Sequence, residues 1–144
     1  MKARISILVA MSCLALSGMA QNEKLTEYVR PLVGTDGFGN VYPGAQIPFG
    51  GIQISPDTDD KYYDAAAGYK YNHTSIQGFS LTHLSGTGIP DLGDFLFIPG
   101  TGEMKLEPGS RENPDEGYRS RYTHDKEWAS PNYYAVQLLD YGVK

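Results

Sequence analysis

The sequence predicts an all-β fold, an antiparallel β-sandwich. Two observations carry that expectation. The 17 Gly and 9 Pro interrupt helices, while 11 Tyr suit a pleated, half-buried surface. Apolar and polar residues also alternate over about six short segments separated by turn-rich stretches, with no amphipathic helix and no internal repeat. At 144 residues, 40% hydrophobic and 20% charged, the chain has the length and composition of one globular domain with a sizeable core.

The N-terminus precedes that domain. Lys2 and Arg4 form a basic start, Ile5 to Leu16 is mostly apolar, and Ser17-Gly18-Met19-Ala20 ends in small residues. The apolar run is too short for a membrane span, so residues 1–20 are expected to be a cleaved signal peptide, with cleavage near Ala20 and a secreted or periplasmic product. Ala10-Met11-Ser12 before Cys13 makes a poor lipobox. Residues 21–144 carry 10 basic and 17 acidic side chains, a net charge of −7 against −5 for the whole chain. That acidity excludes an electrostatic footprint for nucleic acid or anionic lipid, and no membrane span is expected. Cys13 is the only cysteine, so its removal excludes disulfides, thiolate catalysis and cysteine zinc sites.

Residues 25–33 open as a helical turn or a strand, with Pro31 against a long helix. Gly34-Thr35-Asp36-Gly37-Phe38-Gly39-Asn40 is a glycine loop without the Gly-Lys-Ser/Thr ending of a phosphate site. Pro43 and Pro48 favour loop or edge structure, and Gly51 to Ser55 alternates as a half-buried strand. In Pro56-Asp57-Thr58-Asp59-Asp60 the carboxylates suit the oxygen preference of calcium, but the glycine and distal Glu of an EF-hand loop are missing. A solvated acidic turn is expected. Gly68 to His73 alternates again, its tyrosines packing on a sheet face, with His73 facing solvent.

The centre of the chain is Gly78 to Asp94: a short strand, a glycine-rich loop with one His and two Asp, then a second strand Phe95-Leu96-Phe97-Ile98. Gly86, Gly88 and Gly93 let the backbone approach a ligand closely, which makes this stretch the expected site. Thr101 to Arg121 reads as a surface loop or hairpin, followed by an alternating segment at Tyr118 to Tyr122. Trp128 and His124 fall in a charged connection with His124 at the surface, and Tyr133 to Tyr141 is a strand.

Two chemistries are available to these residues. Asp91 and Asp94 are a carboxylate pair, but the roughly 6.5–9.5 Å an inverting glycosidase needs requires a splayed loop. Hydrogen bonds to nearby amides explain them equally. His83 and Ser85 share a face of an extended chain, yet no nucleophile elbow or orienting acid accompanies them.

Taken in order, several motifs resemble glycoside hydrolase family 92, calcium-dependent exo-α-mannosidases. They are Tyr28 to Thr35, Tyr42-Pro43-Gly44-Ala45, Pro48 to Thr58, Gly68-Tyr69-Lys70-Tyr71, Gly78 to Asp94 and Tyr133 to Leu138. The resemblance implies an N-terminal β-sandwich, here incomplete, of an enzyme whose (α/α)6 barrel holds the general acid, the general base and most calcium contacts. Loops of the sandwich then help to wall the mannose pocket between the domains. On that basis the chain alone has no catalytic residues and no turnover, its partners are α-mannoside glycans and the missing barrel, and calcium belongs to the longer enzyme. Tyr63, Asp64, His83, Asp91 and Asp94 are the expected pocket-wall residues. Tyr63 stands where many members have Trp, Leu81 where His is common, and Ile89-Pro90 where Cys-Gly is common. A free-standing carbohydrate-binding or structural β-module is the alternative from composition alone.

Overall fold

The computed structural model describes residues 24–46, 50–59, 63–86, 89 and 93–144. Residues 1–20, expected to be a signal peptide, lie outside them, as do Pro48, Phe49, Asp60, Gly88 and Asp91. Among the described residues seven short strands run antiparallel: β1 (Ser55–Asp57), β2 (Ser75–Ile76), β3 (Gly78–Ser80), β4 (Leu96–Phe97), β5 (Ser120–Arg121), β6 (Glu127–Ser130) and β7 (Tyr133–Val136). The helical pieces are single 3-10 turns of three or four residues, at Leu25–Tyr28, Tyr63–Ala65, Pro114–Glu116 and His124–Lys126. The all-β expectation holds, in a partial sandwich.

The central sheet has the order β1-β3-β4. Ser55 faces Ser80 and Asp57 faces Gly78, while Phe79 pairs with Phe97 on the other side. The strand, loop and strand expected from Gly78 to Ile98 are therefore present as β3 and β4. Strand β2 pairs with β5, and β6 forms a hairpin with β7 across Pro131 and Asn132.

The buried apolar cluster is Tyr69, Ile76, Tyr122, Val136 and Leu138, with Leu32, Phe79, Ile98, Tyr134 and Tyr141 packed against it. It joins residues from all three sheets and their connections, so burial of aromatic area holds together strands too short to stand alone.

The two edges of the central sheet differ. Gly44 lies so close to β1 that a Cβ there would sit 2.0 Å from the Ile54 carbonyl, and its N–H donates to Ser55 Oγ at 3.1 Å. Pro56 offers no N–H, and the Thr58 amide is taken by the Gly68 carbonyl at 2.7 Å. Strand β4, in contrast, pairs with β3 alone among the described strands, and Phe95, Leu96 and Phe97 are exposed.

Several segments differ from expectation for a common reason. Ile52 and Ile54 are exposed and precede β1 rather than forming it, because the chain turns its polar residues inward: Asp57, Thr58 and Asp59 are buried, not a solvated acidic turn. His73 is buried, its Nδ1 2.9 Å from Thr58 Oγ1 and its Nε2 against the Arg111 guanidinium. A guanidinium only donates, so Nε2 accepts and Nδ1 carries the hydrogen given to Thr58. Arg111 Nε in turn donates to Asp59 Oδ2 at 2.8 Å. Gly68 to His73 is an irregular segment, not a strand. Trp128, expected in a connection, lies in β6, where Glu127 points inward and Trp128 outward beneath Lys144, whose Nζ is 4.0 Å from the ring centroid.

Candidate functional site

The central loop is anchored at its base by His83. Strand β3 ends at Ser80, and the chain continues the ladder irregularly: Leu81 N–H donates to the Gly93 carbonyl at 3.4 Å and Gly93 N–H to the Thr82 carbonyl at 3.1 Å. This brings both ends of the loop together. It also turns the His83 ring inward, leaving 5% of the residue exposed.

Every polar atom of that ring is engaged. Nδ1 donates to the Gln53 carbonyl at 2.7 Å. Nε2 lies 2.8 Å from Asp57 Oδ1 and 3.1 Å from Ser80 Oγ. Tyr42 covers the ring at 5.2 Å between centroids. Gly68, at φ +85°, closes the remaining side: a Cβ there would fall 2.2 Å from Asp57 Oδ1 and 3.1 Å from His83 Nε2. Glycine is required both for the left-handed backbone and for the space.

The arrangement is a clamp rather than a proton relay. A Ser-His-Asp relay needs the acid and the hydroxyl on opposite ring nitrogens. Here both meet Nε2 and a backbone carbonyl holds Nδ1. Ser85, paired with His83 in the sequence reading, is exposed, and the hydroxyl at the ring belongs to Ser80. Asp57 Oδ2 is buried without a hydrogen-bond partner, so the His83 contact at Oδ1 is what offsets the desolvation of this carboxylate. Asp57 is the neighbour of His83 that the sequence did not reveal.

Three stretches distant in sequence, at Tyr42, at Gln53 with Asp57, and at Gly68, thus meet the imidazole beside its near neighbour Ser80. The two glycine loops also touch, through the Gly86 N–H donated to the Asn40 carbonyl at 2.6 Å.

The other expected site residues are placed differently. Tyr63 is 64% exposed, on the 3-10 turn Tyr63–Ala65 that also contains Asp64 and is tied to Gly68 by a Gly68 N–H to Ala65 carbonyl bond of 2.8 Å. Asp94 is exposed at φ +45°, its Oδ2 accepting from Thr82 Oγ1 at 2.9 Å. Tyr63 and Asp94 therefore present side chains to solvent from backbone tied to the His83 clamp, while His83 itself faces inward. Among the described residues no three His, Cys, Asp or Glu side chains converge to hold a metal ion.

A second polar cluster lies under β6 and β7. The Glu127 carboxylate, fully buried, accepts from Tyr69 Oη at 2.9 Å and Tyr134 Oη at 2.6 Å, and its Oε2 lies 2.6 Å from His124 Nδ1. His124 Nε2 donates to the Tyr71 carbonyl at 2.8 Å, and the two rings stack at 3.8 Å and 2°. Burial pushes the Tyr69 and Tyr134 hydroxyls well above the ordinary tyrosine range, reinforced by the Glu127 charge. His124 is therefore a structural link, where a surface residue was expected.

Comparison with known proteins places this architecture. The profile of the glycosyl hydrolase family 92 N-terminal domain matches residues 28–144. A family GH92 α-mannosidase from Bacteroides thetaiotaomicron, solved in complex with mannoimidazole, is 84% identical over 83% of this chain and 16% of its own, with a TM-score of 0.82. A family GH92 inverting mannosidase of the same organism is 25% identical over 84% of this chain and 16% of its own, with a TM-score of 0.57. A protein of Arthroderma benhamiae described as an uncharacterized secreted glycosidase is 31% identical over 77% of this chain and 14% of its own. The chain spans about one sixth of the length of these relatives, and among its described residues no helix is long and apolar enough to cross a membrane. With its family profile running unbroken from Tyr28 to Lys144, the chain belongs to glycosyl hydrolase family 92, as an N-terminal domain of that family.

Proposed function

We propose that this chain serves as the N-terminal β-sandwich part of a secreted or periplasmic α-mannosidase, shaping the mannose pocket while hydrolysis is performed by a catalytic part of a longer protein. The observation that carries this reading is the 84% identity to an α-mannosidase solved with mannoimidazole. The geometry supports it: the His83 clamp fixes the base of the central loop, and Tyr63 and Asp94 project from backbone tied to that clamp. Asp64 and Asp91 belong to the same proposed wall by their place in the sequence. Inverting hydrolysis needs one carboxylate to activate water and a second to protonate the leaving oxygen, across a sugar held in fixed register. The wall supplies that register, by stacking on the sugar at Tyr63 and accepting from its hydroxyls at Asp94. The reading assigns both carboxylates, and calcium, to the longer protein. Export rests on the basic, apolar and small-residue pattern of residues 1–20.

The test is a chimera in which residues 28–144 replace the aligned segment of the Bacteroides mannosidase. The chimera is expected to release mannose from an α-mannoside, and Tyr63→Ala or Asp94→Asn to raise KM about tenfold, with the chain alone inactive. An inactive but folded chimera, KM values unchanged in both variants, or turnover by the isolated chain would each overturn the reading.

A further inference from the structure

A cavity of about 420 Å³ opens on the surface beside Arg30, Leu32, Val33, Asp36, Tyr71 and Ala129. None of these is part of the His83 clamp. Its volume is that of a small-molecule pocket. We propose that it is a second carbohydrate site, taking one pyranose unit of a glycan.

Three observations point there. The first is the Tyr71 ring. One face is covered by His124 at 3.8 Å, so the exposed 37% of the residue lies on the opposite face and edge. His124 is held from behind by Glu127 at 2.6 Å and by the Tyr71 carbonyl at 2.8 Å, so the ring is a fixed aromatic plate, the surface on which the C–H face of a pyranose stacks.

The second is the polar pair on the other wall. Asp36 is exposed and accepts through its carboxylate, whereas Arg30 commits one guanidinium nitrogen to the Glu27 carbonyl and keeps further donors. A donor and an acceptor beside an aromatic plate match the adjacent hydroxyls of a sugar ring.

The third is that the cavity is already formed. Thr35 bonds Leu32 twice, by N–H at 3.3 Å and by Oγ1 at 2.8 Å to the same carbonyl, and Val33 N–H donates to the Arg30 carbonyl at 3.0 Å. Tyr71 N–H donates to the Thr35 carbonyl at 2.9 Å, fastening one wall to the other. A ligand entering this cavity has little ordering left to do.

The experiment is a titration of the chain with methyl α-D-mannopyranoside and methyl α-D-glucopyranoside, followed by nuclear magnetic resonance. Shifts are expected to saturate for at least one sugar with a millimolar Kd, to centre on Tyr71 and Val33, and to weaken at least tenfold in Asp36→Asn. Tyr71→Ala is expected to abolish binding. Asp36→Asn removes an exposed charge and leaves the buried network intact, so it tests the site even if the tyrosine variant fails to fold. Absence of saturation for both sugars at about 50 mM, far above a millimolar Kd, overturns the proposal. So does binding unchanged in Asp36→Asn, or binding that Asp94→Asn removes while Asp36→Asn does not. That last result would leave the pocket-wall reading standing, since the sugar would then sit at the central loop.

Discussion

Replacing Glu127 with two different residues separates hydrogen bonding from charge in the cluster beneath β6 and β7. Its carboxylate receives two tyrosine hydroxyls and contacts His124 Nδ1. In Glu127→Gln the amide oxygen accepts from Tyr69 and Tyr134. The amide N–H then donates to His124 Nδ1, which accepts because its other nitrogen already gives a hydrogen to the Tyr71 carbonyl. Every donor keeps a partner, and the expected loss of stability is below about 1 kcal/mol. Glu127→Ala instead removes the partner of the buried Tyr69 Oη and of the half-buried Tyr134 Oη and His124 Nδ1, at roughly 1–3 kcal/mol for each group left unpaired, and a loss of about 4 kcal/mol is expected. Urea unfolding at neutral pH reads the difference. With a slope of about 2 kcal/mol per molar, the alanine variant should unfold about 2 M earlier and the glutamine variant within about 0.5 M of the parent. Should glutamine prove as damaging as alanine, the cluster is held by the carboxylate charge, and the hydrogen-bond reasoning fails. The glutamine result stays decisive even if the alanine variant does not fold.

Two further outcomes follow from the packing. Gly68→Ala introduces a left-handed alanine and drives a methyl into the Asp57–His83 contact, a combined cost of about 4 kcal/mol, whereas Gly37→Ala, left-handed with open space around it, should cost about 1 kcal/mol; equal urea midpoints for the two would show the clamp to be slack. Burial raises the Tyr69, Tyr122 and Tyr134 hydroxyls above their unfolded value of 10.0, so their contribution is complete below pH 10 and is lost as pH climbs toward the folded values. Each then costs about 1.4 kcal/mol per pH unit, and the full tyrosinate absorbance of all 11 tyrosines should be reached only as the chain unfolds above pH 10; full absorbance in a chain that stays folded would contradict the burial of these three.

How much of this was legible in the sequence depended on where charge sat. Gly78 to Ser80 and Leu96–Phe97 were readable because their apolar residues and glycine loop follow ordinary strand and turn chemistry. Strand β6 was not, because alternation is read on the assumption that charged residues face water. Glu127 takes the inward position instead, and Trp128 the outward one. The same inversion hid Asp57, Asp59 and His73. Each is buried against a partner from a distant part of the chain, and pairing of that kind leaves no local periodicity. The candidate loop was visible as a glycine-rich segment and the family motifs as separate words. Their convergence on the His83 ring was visible only in three dimensions.

The unequal edges of the central sheet give it a direction of growth. Gly44, tucked against Ile54 and Ser55, blocks the β1 side as a wall would, and any residue larger than glycine there would have to push the strand away. The open ladder of that sheet, among the described strands, is that of Leu96–Phe97, flanked by the exposed Phe95. A strand contributed by a longer polypeptide, or by a neighbouring copy in a concentrated solution, has a single edge of the central sheet on which to dock, and the two compete for it. Correct assembly and aggregation are then rival uses of one strand edge, where a partner would sit at a spacing of about 4.8 Å, and a lysine placed at Phe95 would shift the contest without touching the clamp.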